Sequence, residues 1–418
     1  MHDVSKNRLL LIAPPNSYRL APYIRAAKKL GIELLVASEG EYSLTTEVAF
    51  GLHIDLRNYQ QALETIVTAA REKPFVGIIA TDDYTVELVA LVAQALGLPH
   101  NPPESAQVAR RKDLARQVLL KARLPVPNFR LINLQEKLEP QLEQMEFPCV
   151  LKPLALSASR GVIRVDNKTD YLEACQRIEK IIAHENNAFE RNHILAEQYL
   201  PGIEVAVEAI LSADEYYGIT IFDKPEPLVG PFFEESYYIT PSQLELTLQD
   251  KIHKLVAEAC IAYGLKTGPI HAELRIDGDK LWIIEVAART IGGECAQLLE
   301  YTTGHSLEAL VISNAMGQFL KPESVDQCVG VLMIPTPKSG MLRRVEGLLE
   351  AGKIEHIEAI NISIGEGHEL VQLPEGASYL GFIFARAPTA VEVESALRAA
   401  HAQLKIVVAP LWKVETNR

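Results

Sequence analysis

The chain has 418 residues, 48% of them hydrophobic and 23% charged, and carries a formal net charge of −13 at pH 7. That length predicts two or three domains with ample core. The acidic balance has no basic block or acidic tail, which argues against nucleic acid or an anionic membrane surface as the main partner, so any phosphate site must be built locally.

Lys6 and Arg8 precede only LLLIA before Pro14-Pro15. That run is shorter than a signal-peptide core and far shorter than a membrane span, so it reads as a buried first strand. No other stretch reads as spanning a membrane. The five cysteines (Cys149, Cys175, Cys260, Cys295, Cys328) are scattered without a CxxC pair. They predict reduced, buried thiols and a cytoplasmic protein.

From the start the pattern alternates. RLLLIAPP reads as a strand, RLAPYIRAAKKLG as a helix ending at Gly31, IELLVAS and HIDL as strands. YQQALETIVTAAREK (helix), FVGIIATDD (strand) and YTVELVALVAQALG (helix closed by Gly97) follow. Apolar strands alternating with amphipathic helices imply a parallel sheet covered on both faces. The first turn, APPNSYR, lacks GxGxxG, so dinucleotide binding gains little support. ESAQVARRKDLARQVLLKARLPVPNFRLI is expected to form one helix, a Pro-bounded loop and a strand. FPCVLKPLALSASRGVIRV reads as strand, loop, strand, and YLEACQRIEKIIAHE as a helix. HILAEQYLPGIEVAVEAILSADEYYGITIF reads as antiparallel strands, followed by the polar, aromatic segment DKPEPLVGPFFEESYYITPS. QDKIHKLVAEACIAYGL is a helix ending at Gly264, and from about residue 325 short strands and the helix VEVESALRAAHAQL read as a small α+β domain.

Three constellations carry chemistry. In HAELRIDGDKLWIIEVAARTIGGE, a hairpin with a three-residue Asp277-Gly278-Asp279 loop would put His271, Glu273 and Arg275 on the same face as Glu285, Ala287 and Arg289. Glu273 and Glu285 would be diagonal neighbours, about 7–8 Å apart at the α-carbons. A carboxylate pair suits a hard cation that also takes phosphate oxygens, and an arginine on that face suits developing phosphoryl charge. The plainer alternative is two partly exposed glutamates on a sheet. In CVLKPLALSASRGV, Lys152 ends a buried strand before small residues and Gly161, a loop whose N–H groups could approach phosphates; a surface loop with a solvated lysine would look alike. In AEQYLPGIEVAVEA, Glu197 and Glu204 flank Tyr199-Leu200. Carboxylates beside backbone polar groups can read an adenine edge and bind ribose hydroxyls, although in isolation this is an acidic strand end.

A lysine, a phosphate-type loop, E-x-Y-L-x-G-x-E and a hairpin carrying Glu, Glu and Arg, in that order, resemble the ATP-grasp superfamily. The resemblance covers roughly the whole chain, and Lys112 in RRKDLARQVL matches the superfamily's first nucleotide lysine. EVAARTIGG, IPTPKSGMLRRVEGL and YLGFIFARAPTAVEVESALRAA look most like carboxylate–amine ligases of the L-amino-acid ligase (dipeptide synthetase) group. This implies a multi-domain α/β and α+β fold: a parallel pre-ATP-grasp domain over residues 1–105, a two-lobed ATP-grasp domain over 106–322, and a C-terminal α+β domain over 323–418. The nucleotide lobe would run from about 110 to 195 and the metal lobe from about 196 to 322.

The resemblance also implies roles. Lys112 and Lys152 would contact ATP phosphates under a lid containing Ser157, Ser159 and Gly161. Glu197, Tyr199 and Leu200 would read adenine, and Glu204 the ribose. Glu273 and Glu285 would hold Mg²⁺, or Mn²⁺ in its place, and Arg289 would stabilise the transferred phosphate. FFEESYYITP resembles the substrate loop of amino-acid ligases, giving Glu235 to the substrate ammonium and Tyr238 to the oxyanion or carboxylate side. Gly292-Gly293 would line that pocket with backbone alone. The implied activity is ATP- and Mg²⁺-dependent amide formation between an amino acid, or related carboxylate, and an amine through an acyl phosphate. Its partners would be small molecules, with no nucleic acid or membrane; oligomeric state stays open, a homodimer included. Two features depart from the wider pattern: Ala287 stands where many members carry a metal-binding Asn, which the dipeptide-ligase group also tends to lack, and Arg160 is bulky for a lid. Two other readings are a nucleotide-biosynthesis enzyme of the phosphoribosylglycinamide synthetase or aminoimidazole ribonucleotide carboxylase type, and a non-catalytic nucleotide-binding regulator.

Overall fold

The computed structural model describes residues 7–15, 17–39, 50–142, 145–323 and 327–411. Asn16 of the APPNSYR loop lies outside the described residues. The chain divides into two compact units, each assembled from three stretches. One comprises Met1–Val126, Val205–Ile221 and Leu244–Val325; the other comprises Pro127–Glu204, Phe222–Gln243 and Asp326–Arg418.

In the first unit, strand Arg8–Ile12 is central to a four-stranded parallel sheet. It pairs with Glu33–Ser38 on one side and Gly77–Ala80 on the other, and Phe50–His53 completes the sheet. Leu9, Leu10, Leu11 and Ile12 are fully buried, as an unalternating apolar run covered on both faces should be. Helices Leu20–Leu30, Val86–Leu96 and Leu246–Tyr263 each stop at a left-handed glycine, Gly31, Gly97 and Gly264, with φ of 69°, 66° and 74°. Chain order reverses between Arg8–Ile12 and Gly77–Ala80, so the loops after these strands meet at the sheet's carboxyl edge. They carry Arg19 and Asp82-Asp83. A second core in this unit joins helix Leu246–Tyr263 to Val205, Val207, Ala272, Leu274 and Ile283 of the antiparallel strands.

The stretch expected to be one helix is two, Pro103–Arg110 and Lys112–Lys121. Arg111 between them is extended (φ −100°, ψ 107°), and its guanidinium grips Asp113 with bonds of 2.9 and 2.8 Å. Periodicity continues across the break, so the pattern conceals it. The hairpin also differs. Asp277 pairs with Lys280, leaving a two-residue Gly278-Asp279 loop, and the register shifts between Glu273 and Leu274. A two-residue loop alone would set Glu285 opposite Ala272, on the core side. The bulge at Ile284 returns Glu285 to the face of Glu273 and opposes the two directly.

In the second unit, Phe129–Asn133, His193–Gln198, Cys149–Pro153 and Ile163–Val165 form an antiparallel sheet in that order. Helix Lys168–Ile182, capped by Asn167 on the N–H groups of Thr169 and Asp170, covers it through Tyr171, Cys175 and Ile178. Tyr237–Thr240, Cys328–Ile334, Gly381–Ala387 and Ile357–Ile362 lie side by side in a further sheet. Helix Ala390–Gln403 packs on it and opens with a Thr389/Glu392 capping box. All five cysteines are buried and none is in a disulfide. Among the described residues no helix is long and apolar enough to cross a membrane.

Candidate active site

The expected site residues divide between the two units. Lys112, Glu273, Glu285 and Arg289 belong to the first; Lys152, Ser157, Ser159, Gly161, Glu197, Tyr199, Leu200, Glu204, Glu235 and Tyr238 belong to the second.

In the first unit, Glu273 and Glu285 face each other across the hairpin with side chains 18% and 23% exposed. Their repulsion is relieved by cations nearby. Lys112 Nζ lies 3.8 Å from Glu285 Oε2, and His271 Nε2 lies 3.5 Å from Glu273 Oε1. The other ring nitrogen of His271 is 2.6 Å from the fully buried Glu208. The second oxygen of Glu208 accepts the Ile291 N–H at 3.3 Å. Burial alone would lower His271; its bonds to Glu208 and Glu273 reverse that and raise it to about 9. Burial pushes Glu208 up, partly offset by His271, so the pair retains a proton at neutral pH.

Arg289 Nε donates to Asp83 at 2.9 Å, and Nη1 donates to the Thr290 carbonyl at 3.0 Å. Burial opposes both charges. Arg289 nevertheless holds the Asp83 carboxyl below the usual range, while Asp83 and Glu285 raise Arg289. Arg19 is paired in the same way, with Nη1 2.5 Å from Asp82 and Nη2 donating to the Ile291 carbonyl at 3.2 Å. The bulged Ile284 carbonyl accepts from buried Arg116 at 2.6 Å, which fixes the hairpin distortion. Ala287 sits opposite His271 and is fully buried.

In the second unit, Lys152 Nζ is 2.6 Å from Glu197, both buried on neighbouring strands. The Tyr199 N–H is donated to the Pro148 carbonyl at 3.2 Å, and the Arg164 guanidinium lies 4.2 Å over the Tyr199 ring. Lys224 binds Glu204 at 2.8 Å and also Glu235, and the Tyr238 hydroxyl donates to Glu235 at 2.8 Å. In the loop after Lys152, Ala158 and Ser159 both have φ of 53° and Gly161 has 73°. Left-handed non-glycine residues cost roughly 1–3 kcal/mol each and persist where their surroundings impose them.

Asp83, Glu208 and Lys224 are absent from the set picked out in the sequence. Asp83 and Glu208 have no local signal, being partnered 206 and 63 positions away. Lys224 had one: it is the single basic residue in the acidic stretch DKPEPLVGPFFEE.

The donor sets fit the groups the resemblance implies. Two opposed carboxylates offer oxygens to a hard cation, and lysines beside them offer charge to phosphate. In comparisons with known families, residues 24–100 match an ATP-grasp N-terminal domain, 145–297 an ATP-grasp domain, and 332–409 the L-amino acid ligase C-terminal domain 2. The alanine–anticapsin ligase of Bacillus subtilis is 25% identical over 270 residues, which span 60% of this chain and 56% of that ligase. The structure of an L-amino acid ligase from Bacillus licheniformis superimposes with a TM-score of 0.81 at 26% identity, covering 96% of this chain and 99% of that one. The fold is also shared with N5-carboxyaminoimidazole ribonucleotide synthetase from Thermotoga maritima, with a TM-score of 0.72 at 16% identity over 96% and 100% of the two chains. The chain therefore belongs to the ATP-grasp superfamily, among carboxylate–amine ligases that resemble the L-amino acid ligase group.

Proposed function

We propose that the protein uses ATP and Mg²⁺, or Mn²⁺, to join an amino acid or related carboxylate to an amine through an acyl phosphate. The observation that carries the reading is the opposed Glu273–Glu285 pair with Lys112 3.8 Å from Glu285. A bound divalent cation would supply charge neutralisation to phosphate oxygens. Glu273 and Glu285 would hold it, and Glu208–His271 would orient Glu273.

Lys112 and Lys152 would bind ATP phosphates, with Ser157, Ser159 and Gly161 as the lid that keeps water from the activated carboxyl. Glu197 and Leu200 would read adenine. Because the Tyr199 N–H is already donated, its part falls to its carbonyl. Glu204 would take the ribose hydroxyls. Glu235 would receive the substrate ammonium, and Tyr238, which donates to it, would fix that carboxylate. Arg289, aimed by Asp83, would meet charge developing on the transferred phosphate. An amine attacks a free carboxylate poorly; phosphorylation supplies the leaving group.

The nucleotide-biosynthesis alternative needs a basic pocket for a ribose phosphate in the N-terminal segment. Arg19, the basic residue that the loop after the first strand offers, is already neutralised by Asp82 at 2.5 Å, which favours the amino-acid reading. Supplying ATP, Mg²⁺ and the common amino acids singly and in pairs, with phosphate release followed, tests it. Release that requires an amino-acid pair is expected. Release with a ribonucleotide amine and with no amino acid would overturn the proposal.

A further inference from the structure

Arg160, too bulky for the small-residue lid in which it sits, has a partner in a distant part of the sequence. Its Nε donates to the Glu375 carbonyl at 3.1 Å, and the neighbouring Gly161 N–H donates to the Pro374 carbonyl at 2.8 Å. The Glu375 carboxylate receives two bonds from Arg177, of 2.5 and 2.8 Å. Arg177 lies on helix Lys168–Ile182, the first helix after the lid, and its guanidinium stands 5.0 Å over Phe232. The same stretch reaches toward the substrate loop: Leu373 and Tyr379, with Ala158 of the lid and Glu234, line a small cleft. All these residues lie in one unit.

We propose that residues 371–376 are the seat of the phosphate lid and that Glu375 is its positioning residue. Two backbone carbonyls hold the left-handed turn at 158–161, and the carboxylate ties the seat to the helix that follows. This assigns the C-terminal segment a part in nucleotide turnover, and it rests on the lid assignment proposed above. The strained turn explains the need. A loop with successive positive φ values relaxes unless something outside it fixes the backbone. Once relaxed, it admits water to the activated carboxyl and ATP is spent without amide formation.

The test is Glu375→Ala in the full chain, with trypsin cleavage after Arg160 followed by mass spectrometry beside steady-state kinetics. The pair is partly exposed, with side chains 42% and 44% accessible, so its effect is that of a surface pair, about two- to fivefold. Cleavage after Arg160 and the KM for ATP should both rise by that factor while kcat holds. Phosphate release per amide formed should rise above one. The swap Arg177→Glu with Glu375→Arg should restore the proteolysis rate and KM. Wild-type cleavage and KM in Glu375→Ala, or a swap variant no better than the single, would overturn the proposal. Proteolysis needs no substrate, so it reads the seat even if no amino-acid pair is turned over, and the two readings can fail separately.

Discussion

Arg289 donates to Asp83 at 2.9 Å across 206 residues of chain, and both side chains are largely withdrawn from water. The hairpin arginine is thus aimed by a residue at the carboxyl edge of the N-terminal sheet. Removing one member of such a pair strands the other. Asp83→Ala is expected to cost about 3–5 kcal/mol of stability, read as a lowered urea midpoint, because Arg289 is then buried without its partner. A midpoint within 1 kcal/mol of wild type would show that Arg289 finds another anion.

Glu285→Gln removes one charge from the opposed pair while keeping its size. Phosphate release should fall by about 10²–10³-fold, the usual consequence of losing one group that stabilises transition-state charge. Mn²⁺ binding, followed by paramagnetic resonance without nucleotide, should weaken in the same variant. Full activity with unchanged Mn²⁺ binding would refute the metal assignment.

Much of this architecture could be read from local pattern. The helix ends at Gly31, Gly97 and Gly264 follow from a residue that adopts positive φ without strain, and the apolar run Leu9–Ile12 could only be a buried strand. Features set by two distant stretches could not be read. The helix break at Arg111 is held by a bidentate grip on Asp113 with no proline or glycine to announce it. The bulge at Ile284 depends on Arg116 reaching its carbonyl from another helix. The sequence places Glu273 and Glu285 on one face, but as diagonal neighbours across a three-residue loop; a two-residue loop and the bulge oppose them directly instead. The counter-charges Asp83 and Glu208 are tertiary facts, invisible to periodicity.

Lys224 offers a cleaner test of charge compensation, because it serves two acids at once and is 6% exposed. Lys224→Met should destabilise the fold by about 3–5 kcal/mol, since Glu204 and Glu235 lose their shared cation. Adding Glu204→Gln and Glu235→Gln should recover most of that loss, because neutral amides need no counter-charge. If the triple variant is no more stable than the single, packing of the lysine stem rather than charge holds the site.

His100 sets a pH dependence that is separate from the site. Burial pushes its imidazole down to about 4, against an ordinary value of 6.5, so it stays neutral in the folded chain where the unfolded chain would take a proton. The sign follows from proton counting. Between pH 6.5 and 4 the unfolded state binds more protons, so this residue's contribution is complete above 6.5 and drains away as pH falls towards 4. The full swing for such a displacement is about 3 kcal/mol. Carboxylates also contribute to the pH dependence, Glu208 and Glu308 in the opposite sense because burial raises them. The informative quantity is therefore a difference. Urea midpoints of wild type and His100→Asn, measured at intervals from pH 7.5 to 4, should diverge on acidification, with wild type losing more. Parallel curves would mean that His100 takes its proton in the folded state as readily as in the unfolded one.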